Sequence, residues 1–302
     1  MSAPARPLRI LVTGSTGLLG RTLCPALAAR GHIVLSHSRS ASSASVAFPL
    51  LPGHELERAV LALRPDWIIH AAALTDLDAC ERDPAAARLL HVAAPASLAF
   101  AASRLGARFL YVSTDSVYPG DPASAPRPES TPPAPVNTYA RTKAEGEAAC
   151  LQFPDTSLVA RVNFFGLHPD RPVGLAAWIL RRLAEGRPFS GFTDVWFNPL
   201  HTSALADLLA LAIEARLSAG TYNFGASDAC SKHDFARRLA LRVGADPALV
   251  LPATLASAGL PTPRPLRTVM DTRRLAAALG RPLPTIDEGL DALLATLPAP
   301  AV

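Results

Sequence analysis

A chain of 302 residues has room for one large domain or two interlocked ones, and with 49% apolar and 18% charged residues it can bury a core, which excludes a mainly disordered chain. The net charge of +4 is spread along the sequence with no block of five or more like charges, so a nucleic-acid-binding tail is excluded while a site for a small anion is allowed. No run of 18 uninterrupted apolar residues occurs, Leu8–Val12 is short for a secretion signal, and Cys24, Cys80, Cys150 and Cys230 form no CxxC pair; the expectation is a cytoplasmic protein with reduced thiols, no membrane segment and no metal.

The first apolar run, Leu8–Thr13, reads as a strand and leads directly into Thr13-Gly14-Ser15-Thr16-Gly17-Leu18-Leu19-Gly20 and a helical pattern over Leu18–Arg30. Strand, glycine turn and helix in that order suit a dinucleotide. Gly14 permits the tight turn, Gly17 lets a diphosphate approach the amides of the helix N-terminus, and Gly20 lets the helix pack on the strand. Gly14, Thr16, Gly17, Leu18 and Leu19 are therefore candidate cofactor contacts, and the absence of GxxxxGK[ST] excludes a P-loop.

The second strand, Ile33–Ser36, runs into His37-Ser38-Arg39-Ser40. Sites that prefer NAD carry an acidic residue roughly 20 positions beyond the glycine motif, yet the first acidic residue of this chain is Glu55. A guanidinium flanked by hydroxyls suits a 2′-phosphate instead, so Ser38 and Arg39 point to NADPH.

Helices over Glu55–Leu63, Pro84–Arg104 and Asn137–Gln152 alternate with strands at Trp67–Ala71, Phe109–Ser113 and Ser157–Val162. With right-handed crossovers this is an α/β fold around a doubly wound parallel sheet, a Rossmann arrangement. Ser113-Thr114-Asp115, at the end of the fourth strand, offers a hydroxyl at the sheet's carboxyl edge, where a nicotinamide would lie. Tyr139-Ala140-Arg141-Thr142-Lys143 puts a phenol and an ammonium on one helix face, where the charge can lower the phenol pKa and ready Tyr139 for proton transfer.

Beyond residue 163 the pattern loosens into helices at Leu175–Glu185, Thr202–Arg216 and Lys232–Val243 and a return strand at Gly220–Phe224. The expected division is a dinucleotide-binding domain of residues 1–162 and about 200–228, with 163–199 and 229–302 forming a smaller α/β substrate-binding lobe.

With these motifs the sequence resembles the extended short-chain dehydrogenase/reductases, and within them the dTDP-4-dehydrorhamnose reductase family. The likeness runs along nearly the whole chain. It includes the glycine motif, Arg64-Pro65-Asp66, Ala71-Ala72-Ala73-Leu74-Thr75-Asp76, Ser113-Thr114-Asp115, YxxxK, Arg161-Val162-Asn163-Phe164-Phe165-Gly166, Phe197-Asn198-Pro199-Leu200, Ser231-Lys232-His233-Asp234-Phe235, and Arg264-Pro265 with Asp271. It implies Thr114, Tyr139 and Lys143 as catalytic residues, Lys143 also on the cofactor ribose, and Ala71, Ala72 and Ala73 along the cofactor. Thr75, Leu77, Asp115, Asn163, Phe164, Trp196 and Arg264 would meet substrate. His91 stands where relatives commonly carry Asn, and Phe164 where they often carry Trp.

The implied reaction is NADPH-dependent reduction of a nucleotide-linked 4-keto-6-deoxysugar, such as dTDP-4-dehydrorhamnose to dTDP-rhamnose. A small-molecule partner follows, and a homodimer is left open. Sugar-nucleotide dehydratases and epimerases share the fold and trio. Against the first stands Ser116, where a dehydratase usually has Glu; against the second stands the missing acid after the second strand. A non-catalytic NADP-binding regulator stays open too, since the regulatory subunit of methionine adenosyltransferase looks like this family.

The remaining candidates are weaker. The histidines lack ligand spacing for a metal, Trp67 and Trp178 read as packing, and Trp196 either lines a pocket or caps the second lobe. Among Arg181, Arg182, Arg187, Arg264 and Arg267, the favoured partner for a diphosphate is Arg264, from its family-like segment.

Overall fold

In the computed structural model, which describes residues 6–38, 45–122 and 125–297, the chain order is β1 Arg9–Thr13, α1 Gly20–Ala29, β2 Ile33–Ser38, β3 Val46–Ala47, α2 His54–Leu63 and β4 Trp67–His70. Next come α3 Leu77–Arg82, α4 Pro84–Arg88, α5 Ala94–Leu105, β5 Arg108–Val112, α6 Thr138–Cys150 and β6 Ser157–Val162. The later elements are β7 Phe164–Phe165, α7 Leu175–Ala184, β8 Phe189–Phe192, β9 Trp196–Phe197, β10 Leu200–His201, α8 Thr202–Glu214 and β11 Gly220–Phe224. β12 Cys230–Ser231, α9 Lys232–Arg242, β13 Val250–Ala253, α10 Arg273–Leu279 and α11 Ile286–Leu294 complete the described chain.

Seven strands pair in the order β11-β6-β5-β4-β1-β2-β3, every neighbour parallel. Strand order reverses between β1 and β4, which opens a crevice at their carboxyl ends. Thr13 stands level with both His37 and His70, so the loops after β1, β2 and β4 leave the sheet side by side.

Side chains alternate across the sheet, as the period of two requires. Ile10, Val12, Ile69, Leu110, Leu158 and Ala160 meet α1 and α8 through Leu23, Leu27, Leu205 and Leu209. Leu11, Ile68, Phe109, Tyr111 and Val159 meet α2, α5 and α6 through Leu56, Val60, Leu98 and Cys150. The return strand Gly220–Phe224 does rejoin the first sheet, beside β6.

Three small pairings build the second lobe: β7 with β10, β9 with β12, and β8 with β13. Its core is continuous with that of the sheet, because Phe165, Phe197, Phe235, Ile286 and Leu290 share one buried cluster with Val12 and Leu110.

The helix expected over Pro84–Arg104 departs from a single regular element: a π-helical turn, Leu89–Ala93, separates α4 from α5. Among the described residues, this run, Pro84–Leu105, is one helix long and apolar enough to cross a membrane. Its buried side packs on the sheet and α6. β3 and α3 carry no periodic signal because they are only two and six residues long.

Candidate active site

At the end of β1 the chain turns through Gly14 with φ +74°, a backbone that side chains resist. A Cβ there would lie 2.7 Å from the Ala72 nitrogen and 2.8 Å from the Ala71 carbonyl carbon. The bare glycine therefore lets the turn lie against Ala71 and Ala72. A Cβ on Gly20 would collide with the Gly14 oxygen and the Ser15 backbone. No side chain caps α1; the Arg21 amide donates to the Gly17 oxygen (3.0 Å), and those of Thr22 and Leu23 to the Leu19 oxygen (3.1 and 2.8 Å). Thr16, Gly17 and Leu18 are half-buried around this cradle, whereas Leu19 is 4% exposed and packs into the core, leaving only its backbone for a ligand.

The second lobe clasps the same turn. His168 Nδ1 accepts from the Asp170 amide (3.1 Å), so Nε2 carries the proton and donates to the Thr16 oxygen at 3.0 Å. Arg171 Nη2 donates to that oxygen as well (3.1 Å). Sequence reasoning missed both residues, and with 152 positions between His168 and Thr16 no local spacing signals the contact. On the β2 side Ser15 Oγ donates to the His37 oxygen (2.9 Å) and Ser38 is buried; Arg39 lies outside the described residues.

Asn137 caps α6 by accepting from the Ala140 amide at 2.8 Å, and Tyr139, Lys143 and Glu147 then follow one another along the face turned to the sheet. Thr114, just past β5, lies beside the Tyr139 phenol, and its side chain favours the ionised form. Burial outweighs this influence and raises the phenol pKa, so the group stays protonated at neutral pH.

One expectation is corrected: Lys143 does not lower the Tyr139 pKa here. Its Nζ donates to the Val112 oxygen at 2.7 Å and lies 4.0 Å from the centre of the Tyr111 ring, and burial pulls the ammonium down to about 7. Helical spacing puts both residues on one face but does not choose the direction of a four-carbon side chain.

His91 ties the loop after β4 to α6. Its Nε2 accepts from the Leu74 amide (3.0 Å), so Nδ1 is protonated and donates to Thr142 Oγ1 (2.8 Å), which donates on to the Thr138 oxygen (2.9 Å). Burial, with the Lys143 charge second, holds this imidazole neutral with a pKa down to about 3. The carbonyls near the π-helical turn are satisfied sideways: Leu90 accepts from His70 Nε2 (3.2 Å) and His91 from the Tyr111 hydroxyl (2.7 Å). Replacing His91 by Leu strands the Leu74 amide and removes the Thr142 contact. The expected loss of stability is about 1–3 kcal/mol, read from the urea midpoint; a loss under about 0.5 kcal/mol would mean that the loop is held elsewhere.

Asp115 is 2% exposed and joins the two lobes. Its Oδ2 accepts from Asn163 Nδ2 (2.6 Å) and Thr268 Oγ1 (2.5 Å), its Oδ1 from Thr114 Oγ1 (3.2 Å) and Ser116 Oγ (3.3 Å). Burial raises its pKa while these donors and the nearby Lys232 oppose the rise. Phe164 is half-buried against the core, Thr75 is exposed on the loop before α3, and Leu77 begins that helix.

Trp196 is half-buried, with the Arg267 guanidinium 4.9 Å from its ring centre. Arg264 lies between Pro263, whose oxygen accepts from Asn137 Nδ2 (2.9 Å), and Pro265, which presses on Gly120. Arg181 and Arg182 instead pair with Glu185 on the open side of α7. Trp178, expected as packing, is 39% exposed with its edge on Phe189.

Known proteins resemble this chain in sequence and in fold. The chain is 34% identical over 288 residues to dTDP-4-dehydrorhamnose reductase of Streptomyces griseus, covering 94% of this chain and 91% of the relative. A Haloferax volcanii protein named "Probable low-salt glycan biosynthesis reductase Agl14" is 31% identical over 293 residues, covering 93% of this chain and 96% of its own. In fold, dTDP-4-dehydrorhamnose reductase of Bacillus anthracis, solved in complex with NADP, superposes with a TM-score of 0.85 at 23% identity, covering 96% of this chain and all of its own. The model of the family described as RmlD substrate binding domain matches residues 8–298, and the chain belongs to that family.

Proposed function

We propose that the protein is an NADPH-dependent reductase of a nucleotide-linked 4-keto-6-deoxysugar, with dTDP-4-dehydrorhamnose as substrate and dTDP-rhamnose as product. The observation that carries this reading is the placing of Thr114, at the carboxyl end of β5, beside the Tyr139 phenol of α6, on the sheet edge where Gly14 also lies against Ala72. The names of the Streptomyces and Haloferax relatives agree with it.

The glycine cradle and the uncapped start of α1 fit a dinucleotide diphosphate, and Ser38 with Arg39 would take the 2′-phosphate. When bound, this cofactor supplies the hydride. Lys143, on the Tyr139 face of α6, would take the ribose hydroxyls in place of the Val112 oxygen. Thr114 Oγ1 would turn its proton from Asp115 Oδ1 to the ketone oxygen, and Tyr139, kept protonated by burial, donates its proton to the alkoxide that forms there. Asp115 has both oxygens engaged by protein donors, so it positions Thr114 and the second lobe. Ser116 stands where a dehydratase needs a carboxyl group, and a serine hydroxyl titrates far too high to replace one.

The test is product analysis by mass spectrometry with NADPH and with NADH. A gain of two hydrogens on the keto sugar, faster with NADPH, is expected. Loss of water, epimerisation without net redox change, or no turnover of any dTDP- or GDP-linked keto sugar would overturn the reading, and equal use of NADH would overturn its cofactor part.

A further inference from the structure

Residues 261–268 form a strap that reaches the flanks of both Tyr139 and Thr114. At one end the buried Thr262 hydroxyl donates to Asp78 Oδ1 on α3, and the Pro263 oxygen accepts from Asn137 Nδ2 (2.9 Å), two positions before Tyr139. At the other end the Leu266 amide donates to the Gly120 oxygen (3.1 Å), and Thr268 Oγ1 donates to Asp115 Oδ2 (2.5 Å), next to Thr114. The stretch between reads Pro261-Thr262-Pro263-Arg264-Pro265. Three fixed φ angles, with extended backbone favoured at Thr262 and Arg264, make it stiff enough to carry a displacement from one anchor to the other.

Asn137 serves two elements with one buried side chain. Its Oδ1 accepts from the Ala140 amide in the first turn of α6 (2.8 Å), while its Nδ2 holds the strap. Beside it, Thr138 donates through both its amide and its hydroxyl to the Glu81 carboxylate, each at 2.7 Å. The helix α3 thus grips the start of α6 through Glu81 and the strap through Asp78. Close packing does not replace these bonds, because an open cavity of about 520 Å³, lined by Glu81, Asn137, Arg141, Thr262 and Pro263 among others, lies where the three segments meet. Hydrogen bonds hold the strap to α6 at this end.

We propose that Asn137 is a positioning residue for the reaction: by capping α6 and holding the Pro263 oxygen at once, it fixes where Tyr139 stands relative to Thr114, whose neighbour Asp115 anchors the far end of the same strap. This rests on the reductase reading above. Thr262 is the second anchor at the α6 end, acting through Asp78.

The experiment measures keto-sugar reduction, NADPH binding and the urea midpoint for the unmodified protein, Asn137→Asp, Thr262→Val and Thr262→Ser. Asp keeps the oxygen that caps α6 and puts a second oxygen where the donor to Pro263 stood. Val removes the hydroxyl at position 262, and Ser keeps it. The expected result for Asn137→Asp is a kcat about 10- to 100-fold lower per NADPH-binding site, with NADPH affinity within about twofold and the urea midpoint little changed, since small misplacements of reacting groups cost rate before stability. Thr262→Val should lose turnover in the same pattern and Thr262→Ser should keep it. Unchanged kcat in Asn137→Asp, a loss of turnover matched by equal losses of NADPH binding and stability, or Thr262→Ser as slow as Thr262→Val would overturn the assignment alone. If the unmodified protein reduces no dTDP-, UDP- or GDP-linked keto sugar, the reductase reading falls and takes this assignment with it.

Discussion

Replacing Tyr139 by Phe lowers turnover by about 100- to 10,000-fold, the range that a general acid contributes, while NADPH affinity changes by less than about twofold. The ring itself is held by packing: it meets the His91 imidazole edge-on with centres 5.6 Å apart, a contact that Phe retains. Only the hydroxyl beside Thr114 is lost. Steady-state kinetics and cofactor titration of the same preparation separate the two effects. Unchanged turnover would show that the phenol is not the acid and would favour a non-catalytic, NADP-binding role for this chain.

Replacing Glu147 by Ala costs about 3–5 kcal/mol of stability, a large share of the roughly 5–15 kcal/mol that holds a typical domain. Glu147 and Arg161 are 3% and 4% exposed, and Glu147 accepts from Arg161 Nη2 at 2.7 Å and Nε at 3.0 Å, with Ser113 Oγ bound to the same carboxylate at 2.5 Å. Without the carboxylate, the Arg161 charge stays buried against the Tyr118 ring, 4.7 Å from its centre, and the Glu129 oxygen at 3.4 Å. Neither neutralises it. Because Glu147 lies two helical steps beyond Tyr139, the pair also sets how α6 sits on β6, so turnover should fall with stability. Urea denaturation is the measurement; a shift below about 1 kcal/mol would mean that apolar packing alone seats α6 on the sheet.

Much of the fold was legible because its signals are local. The short apolar runs Leu8–Thr13, Phe109–Ser113 and Ser157–Val162 report strands whatever surrounds them, and the observed strands differ from these bounds by at most one residue at each end. The glycine turn was legible for the same reason: Gly14 and Gly20 respond to backbone only a few residues away or directly beside β1. Short elements such as α3 were not, since six residues hold less than two turns of periodicity.

The sequence by itself determined the order of strands and helices, the dinucleotide turn, and the placing of Tyr139 and Lys143 on one helical face, all consequences of dihedral preference and periodicity within an element. Tertiary structure alone decided which of those faces meet. It sends Lys143 to the Val112 oxygen, seats His168 on the Thr16 oxygen, and brings Thr268 to Asp115 from 153 residues away. Periodicity orients a side chain about the axis of its own element; distances between elements follow from strand order and from how the second lobe packs back on the sheet, and no spacing along the chain encodes them.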